Sequence, residues 1–488
     1  MNPSSGQDDQ RPRLHFTPPG NWMNDPNGLV FCEGEYHLFY QHHPFDLQWG
    51  PMHWGHAVSR DLIHWEHLPI ALAPDEHGTI FSGCAVVDEN DTSGFFGGGK
   101  GLVAVFTQHA ERPQTREPLQ RQSIAYSKDN GRTWTKYAGN PVLGDESVLD
   151  FRDPKAIWHE AAAKWVMVVS AGDRVRFYTS PDLKEWTFAS DFGAGEGSHA
   201  GVWECPDLFE LPVDGGAAGR KWVLMVSVGG DPDDPAGSGT QYFVGSFDGT
   251  AFVNDHPSDT VLWMDRGRDN YAGATWSNIP REDGRRLFIG WMVNLKYAGV
   301  TPATVWRGAM TLPRELTLAD TAEGPRIVQQ PVAEVERLRE EIGRWSDTVL
   351  RSGAEWTGDA SGNALEAVAE FEPDTAAEVG IRFGTAPGEE TIVGYDARRG
   401  ELFIDRTCSG RTDFHELFPC RHAAPLDPAE RRLRLWIFVD RSSVEVFAGD
   451  GRLVMTDLIF PSGPNRSVAL YSLGGDAKLS SLTLYRLA

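Results

Sequence analysis

The sequence predicts an all-β protein: a five-bladed β-propeller followed by a β-sandwich, the two joined by a short helix. Three observations lead there. A chain of 488 residues is too long for a single core and divides into two or three domains. It holds 52 Gly, 17 Trp and 25 Phe among short β-branched runs, the composition of many strands joined by tight turns. An internal repeat occupies its first two thirds and stops before the last third.

The repeat has two parts. Short apolar strands recur about every 60 residues: Tyr36-His37-Leu38-Phe39-Tyr40 and then runs opening at Leu102, Trp165, Trp222 and Leu287. Behind the first four comes a Ser-x-Asp turn and an aromatic residue. These are Ser59-Arg60-Asp61 with Trp65, Ser127-Lys128-Asp129 with Trp134, Ser180-Pro181-Asp182 with Trp186, and Ser246-Phe247-Asp248 with Phe252. Such a turn can bond its own backbone, leaving the aromatic to pack between neighbouring sheets. Units of this length with about four strands suit propeller blades, and five of them place the propeller over residues 12–330. Residues 1–11 are expected to be a flexible N-terminus.

Beyond the blades the period changes. Val332, Val335, Leu338, Ile342 and Trp345 recur at three- and four-residue steps, which predicts a linker helix over residues 331–345. Nine short strand segments, from Ala364–Phe371 to Leu479–Leu487, then fit a two-sheet sandwich over residues 346–488.

In a propeller the first strand of each blade lines the central channel. If the repeated apolar strand is the second in its blade, the segment before it is the inner one. Those segments run over Trp22–Gly28, Phe81–Cys84, Phe151–Lys155, Trp203–Asp207 and Tyr271–Trp276. Three carry an acid in apolar, aromatic or Pro-containing surroundings: Asp25, Asp153 and Glu204. A buried acid is costly unless paired or used; any one of these could be a turn or cap residue, but three aimed at one funnel point to a site. Two carboxylates flanking a glycosidic bond are the usual equipment of glycoside hydrolysis, one attacking the anomeric carbon and the other acting as acid and then base. A third can orient sugar hydroxyls. Trp22, Trp49, Phe81, Trp203 and Trp291 would offer apolar faces to a sugar ring.

Bulk charge narrows the partners. Lys+Arg 45 against Asp+Glu 69 gives a net charge of -24, which repels phosphate backbones and anionic lipid. Neither nucleic acid nor membrane is expected as a partner, and a neutral sugar is indifferent to that field. The first ten residues lack a cationic start and apolar core, and no stretch reaches 18 consecutive apolar residues. Five cysteines without a C-x-x-C pair read as free thiols, so a cytoplasmic location is the expectation.

At its acids the sequence resembles the invertase–inulinase–levanase family, glycoside hydrolase family 32. Trp22-Met23-Asn24-Asp25-Pro26-Asn27-Gly28, Arg152-Asp153-Pro154 and Trp203-Glu204-Cys205-Pro206-Asp207 match three signatures of that family in order, and Ser442-Ser443-Val444-Glu445-Val446-Phe447 resembles its C-terminal sandwich. The resemblance implies a retaining hydrolase that releases terminal fructosyl units from sucrose or fructans through a covalent fructosyl-enzyme, with no metal and no cofactor. It implies Asp25 as nucleophile, Glu204 as general acid/base and Asp153 as transition-state stabiliser beside Arg152. Asn24, Gln41, Trp49, Phe81 and Ser82 would shape the pocket for the terminal fructose, with Trp291 on its wall. Met52-His53-Trp54-Gly55-His56 and the run from Gly290 to Leu316 resemble microbial levanases and exo-inulinases more than plant invertases. Val293 replaces a residue often polar in those relatives, and there it would alter the contact to a second sugar.

Three rivals share these features: a fructosyltransferase of the same family, a five-bladed arabinan hydrolase acting by inversion, and a fructan-binding protein without activity. The Asn24-Asp25-Pro26-Asn27 run argues against the second and the retention of three acids against the third. Other signals read as structural. His42, His43, His53 and His56 lack matching Cys or carboxylate spacing for a metal. Gly97-Gly98-Gly99-Lys100-Gly101 lacks the spacing of a phosphate loop and reads as a hairpin turn. Asp231-Pro232-Asp233-Asp234-Pro235 reads as a solvated loop rather than a calcium site. Cys205 has no His-containing base and reads as a small buried thiol that tunes Glu204.

Overall fold

A computed structural model of the chain describes residues 10–229, 237–426, 432–463 and 466–488. The Asp231–Pro235 run and nearly all of the expected N-terminal tail lie outside the described residues.

The described residues between 21 and 331 form five sheets, each built on a four-stranded antiparallel meander. Their first strands are Asn21–Cys32, Thr79–Asp88, Phe151–His159, Val202–Pro212 and Tyr271–Thr275. These five pack against one another in chain order and the last packs against the first, which closes a ring around an axis. The repeated apolar runs are the second strands, Glu35–His43, Gly101–Glu111, Lys164–Ala171, Arg220–Gly229 and Arg286–Trp291. They are buried almost continuously because neighbouring blades cover both faces.

The Ser-x-Asp turns lie between third and fourth strands. Asp61 Oδ1 accepts the Ile63 and His64 N–H groups at 3.1 and 2.9 Å, and Asp182 Oδ1 accepts those of Lys184 and Glu185, both at 2.9 Å. The following indoles donate to carbonyls inside the turn, Trp65 to Leu62 and Trp186 to Leu183, each at 3.1 Å. Trp134 meets Phe39 of the preceding blade edge-on at 5.5 Å, so the repeat stitches blade to blade. The ring is secured by Trp306–Arg307, which pairs in parallel with Asn21 and Trp22.

Every inner strand breaks its ladder at the same level. The register to the second strand shifts between Met23 and Pro26, Ile80 and Gly83, Arg152 and Lys155, Glu204 and Asp207, and Tyr271 and Ala274. A bulge leaves extra residues unpaired and re-aims their side chains. Asp153, Cys205 and Ala272 sit at these breaks with φ of 64°, 48° and 53°. Pro26, Pro154 and Pro206 follow directly; lacking an N–H, proline is tolerated where the ladder is interrupted.

The expected linker helix is corrected. Only Ala333–Leu338 is helical, as a 3-10 turn, and Arg339–Leu350 is a strand of the sandwich paired with Ala477–Leu487. A register shift between Glu341 and Gly343 puts Ile342 and Trp345 on the same core although they are three residues apart. That spacing imitates a helix, and the sandwich therefore begins at Arg339 rather than at residue 346. Among the described residues two six-stranded sheets make up the sandwich, and all nine expected strand segments are among their strands. Glu355–Gly362 and Arg421–Pro425 are additional edge strands that lack a clear apolar alternation in sequence.

Candidate active site

The five breaks ring the mouth of the channel, where a funnel of ≈ 480 Å³ opens. Asp25, Asp153, Glu204, Asn24, Gln41, Trp49, Phe81, Ser82, Arg152 and Trp291 all line it. Trp22 lines it too, whereas Trp203 does not: it is fully buried, donates to the Ser198 carbonyl at 2.9 Å and packs on Phe243. Val293 is also a core residue and not part of the funnel wall.

Asp25 lies in a cage of donors. Ser82 Oγ donates to its Oδ2 at 2.6 Å and Asn24 Nδ2 to its Oδ1 at 3.1 Å. Asn24 is itself held by the Trp22 indole N–H at 2.8 Å. Burial raises the Asp25 carboxyl above its ordinary range, the Ser82 hydrogen bond opposes that, and the Glu204 charge adds to it.

Asp153 is the most buried of the three acids, 5% exposed, and burial pushes its carboxyl up to about 7 against the pull of Arg152. Its Oδ2 accepts the Cys205 N–H at 3.0 Å. The Cys205 thiol lies 3.5 Å from Asp25 and 3.6 Å from Asp153, so it bridges those two acids instead of tuning Glu204.

Arg152 stands beside Asp153 as expected but reaches further. Its closest partners are Glu204, at 3.2 Å from Nε and 2.9 Å from Nη2, and Asp150 at 2.5 Å, whereas Asp153 is 3.9 Å away. Tyr271 Oη donates to the other oxygen of Glu204. The Glu204 carboxylate is thus clamped from two blades, with its side chain 25% exposed to the funnel.

Sequence reasoning missed Tyr271, Asp150, His109 and Gln120. Tyr271 heads the one inner segment without an acid or a small polar residue at its break, so aligning the five segments would have found it. Asp150 stands two residues before Arg152. His109 and Gln120 come from second and third strands of the second blade and have no motif; His109 stacks on Phe81 with centroids 4.3 Å apart and lies 3.3 Å from Gln120 Nε2. Trp49 meets Phe81 edge-on at 6.0 Å and stands 56% exposed at the rim.

Below the carboxylates the channel narrows to a gap of ≈ 30 Å³ walled by Pro26, Pro154 and Pro206, room for about one water. Beyond it Lys155 Nζ pairs with Asp207 at 3.1 Å and donates to the Thr275 carbonyl at 2.8 Å. A gap of that size is too narrow for a sugar chain. The histidines weighed as metal ligands have other partners: His42 bonds the Trp22 carbonyl, His53 that of Pro51, and His56 pairs with His37. Among the described residues no cluster of three His, Cys, Asp or Glu could hold a metal ion. All five cysteines are free thiols.

Comparison with known proteins agrees with this arrangement. Residues 15–331 match the glycosyl hydrolases family 32 N-terminal domain, and residues 334–486 match its C-terminal domain. The chain is 55% identical to a levanase of Bacillus subtilis (strain 168), over 98% of this chain and 71% of that protein. It is 41% identical to an extracellular exo-inulinase of Aspergillus niger, over 95% and 92% of the two chains. The crystal structure of exo-inulinase from Aspergillus awamori superposes with a TM-score of 0.91 at 39% identity, covering 98% of each chain.

Proposed function

The chain belongs to glycosyl hydrolase family 32, and from that premise we propose that it is a retaining β-fructofuranosidase releasing terminal fructosyl units from sucrose, fructo-oligosaccharides and fructans. Asp25 attacks C2 of the fructosyl unit as the C2–O glycosidic bond breaks, and Glu204 gives its proton to the departing oxygen. Water, deprotonated by Glu204, then attacks C2, the bond to Asp25 breaks, and fructose leaves. Asp153 accepts hydrogen bonds from sugar hydroxyls and steadies the positive charge that develops at C2.

The observation that carries this reading is the asymmetric support of the acids around one funnel. Ser82 and Asn24 both donate to Asp25, the arrangement that suits a carboxylate used as a nucleophile. Arg152 and Tyr271 hold Glu204 from the side and leave it open to the funnel. A channel narrowed below the acids to room for about one water favours attack at a chain end, since a polymer cannot thread through it. The aromatic walls, Trp22, Trp49, Phe81 and Trp291, supply apolar faces for sugar rings. That relatives are a levanase and exo-inulinases supports fructan among the substrates.

The test is product analysis on sucrose, inulin and levan. Free fructose as the main product, including at high sucrose, agrees with the proposal. Longer oligosaccharides as the main product would make the chain a transferase, and no release from any of them would remove the activity altogether.

A further inference from the structure

At the far ends of the same inner strands a second cavity of ≈ 450 Å³ opens on the opposite face of the propeller. The strand Phe151–His159 presents Arg152 and Asp153 to the funnel and Trp158 to this cavity; Val202–Pro212 presents Glu204 to one and Phe209 and Glu210 to the other. Five residues of strand separate Asp153 from Trp158, roughly 17 Å. The Lys155–Asp207 pair lies between the two openings, with Lys155 lining both the narrow gap below the acids and this cavity.

Its lining matches the chemistry that recognises a neutral sugar. Trp158 and Trp222 are partly buried indoles, the first meeting Trp165 edge-on at 5.3 Å and the second stacked on His159 at 5.6 Å. Arg286 lies over the Phe209 ring at 5.1 Å and donates to the Trp276 carbonyl at 3.3 Å. Its Nε is buried without a hydrogen-bond partner, as is Ser277 Oγ, and it makes no ion pair among the described residues. Acceptors stand in the same lining: Glu210, paired with Arg220 at 2.7 Å, and Glu160, which accepts the Trp158 indole N–H at 3.3 Å and lies 3.6 Å from Arg281. Indole faces beside guanidinium and carboxylate groups suit a polyhydroxylated ligand, whose ring stacks while its hydroxyls bond the charged groups of the lining. Mixed charges of both signs disfavour an anion and suit an uncharged polyol.

We propose that this cavity is a second sugar-binding site, which holds a segment of a fructan or fructo-oligosaccharide without cleaving it. The inference rests on the proposed function only for the identity of the sugar. Nystose titrated calorimetrically into the Asp25→Ala protein should fill two sites, and Trp158→Ala added to that background should leave one. Arg286→Gln is the second variant, and melting curves show which of the two stays folded. In the otherwise unaltered enzyme, Trp158→Ala should lower kcat/KM on long levan or inulin by at least about threefold while sucrose turnover stays within about twofold. A single site in Asp25→Ala protein, or two sites that neither variant disturbs, overturns the proposal. Continued fructose release by Asp25→Ala would instead count against the nucleophile and leave the second site to be judged by the variants alone.

Discussion

Asp153 combines a backbone and an environment that both work against it. It adopts φ 64°, which costs a residue other than glycine on the order of 1 kcal/mol, and it is buried beside two other acids. Its folded pKa of about 7 stands above the value of about 3.9 in an unfolded chain. The folded protein therefore keeps a proton that the unfolded chain gives up, and stability falls as pH rises from about 4 to about 7. Asparagine tolerates the same φ and carries no charge. Asp153→Asn should lower turnover at least about a hundredfold yet melt higher than the parent at pH 7.5, being more stable by ~4 kcal/mol, with the gap closing by pH 4. If the Asp153→Asn protein melts no higher at pH 7.5, the acid is not under this penalty. The acids themselves were legible in sequence because an Asp or Glu in an apolar segment demands a reason. The grip of Arg152 on Glu204 was not, since a neighbour in sequence, Asp153, looked the nearer partner until the bulge turned the two side chains apart.

The element that matters most is the interrupted inner strand. The repeat showed which strand is second in each blade, and hence which segment faces the axis. It gave no sign that every such segment bulges at one level, because a bulge leaves only indirect marks: a proline after the break, or a glycine beyond it. Gly28 ends the Trp22–Gly28 motif at φ 55°, and a Cβ there would stand 2.5 Å from the Phe39 ring and 2.9 Å from Trp54. The motif thus keeps this glycine for conformation and not for chemistry. Gly28→Ala should destabilise the protein by about 2–4 kcal/mol, read from chemical denaturation. A loss below about 0.5 kcal/mol would mean that the bulge yields easily. Ile342 and Trp345 teach the converse lesson, since there a bulge in a strand produced the spacing of a helix.

At the scale of the molecule, the sandwich braces the propeller through buried charge. His15 bridges Asp440 at 2.9 Å and Glu445 at 2.8 Å, and Glu445 also holds Arg314 of the fifth blade at 2.5 Å. Burial would lower the His15 pKa, but the two carboxylates raise it to about 9. Its stabilising effect is complete below about 6.5 and is lost as pH rises through about 9. His15→Ala should cost about 3 kcal/mol at pH 6 and much less at pH 10, measured by denaturation at both. An equal cost at both would make the contribution one of packing. The repeat and the motifs did not foretell this network, because His15, Arg314 and the Asp440–Glu445 segment lie more than a hundred residues from one another and only the folded interface joins them. The same holds for the funnel, where residues from separate blades acquire roles through geometry alone. The division of labour between the three acids is the central claim, and chemical rescue with a fructoside of excellent leaving-group ability tests it most directly. Glu204→Ala should lose at least about a thousandfold on sucrose, regain much of its fructosylation rate on the activated substrate, and respond to added azide in the second step. Absence of both rescues in Glu204→Ala, with both present in Asp153→Ala, would contradict the assignment and exchange the two roles.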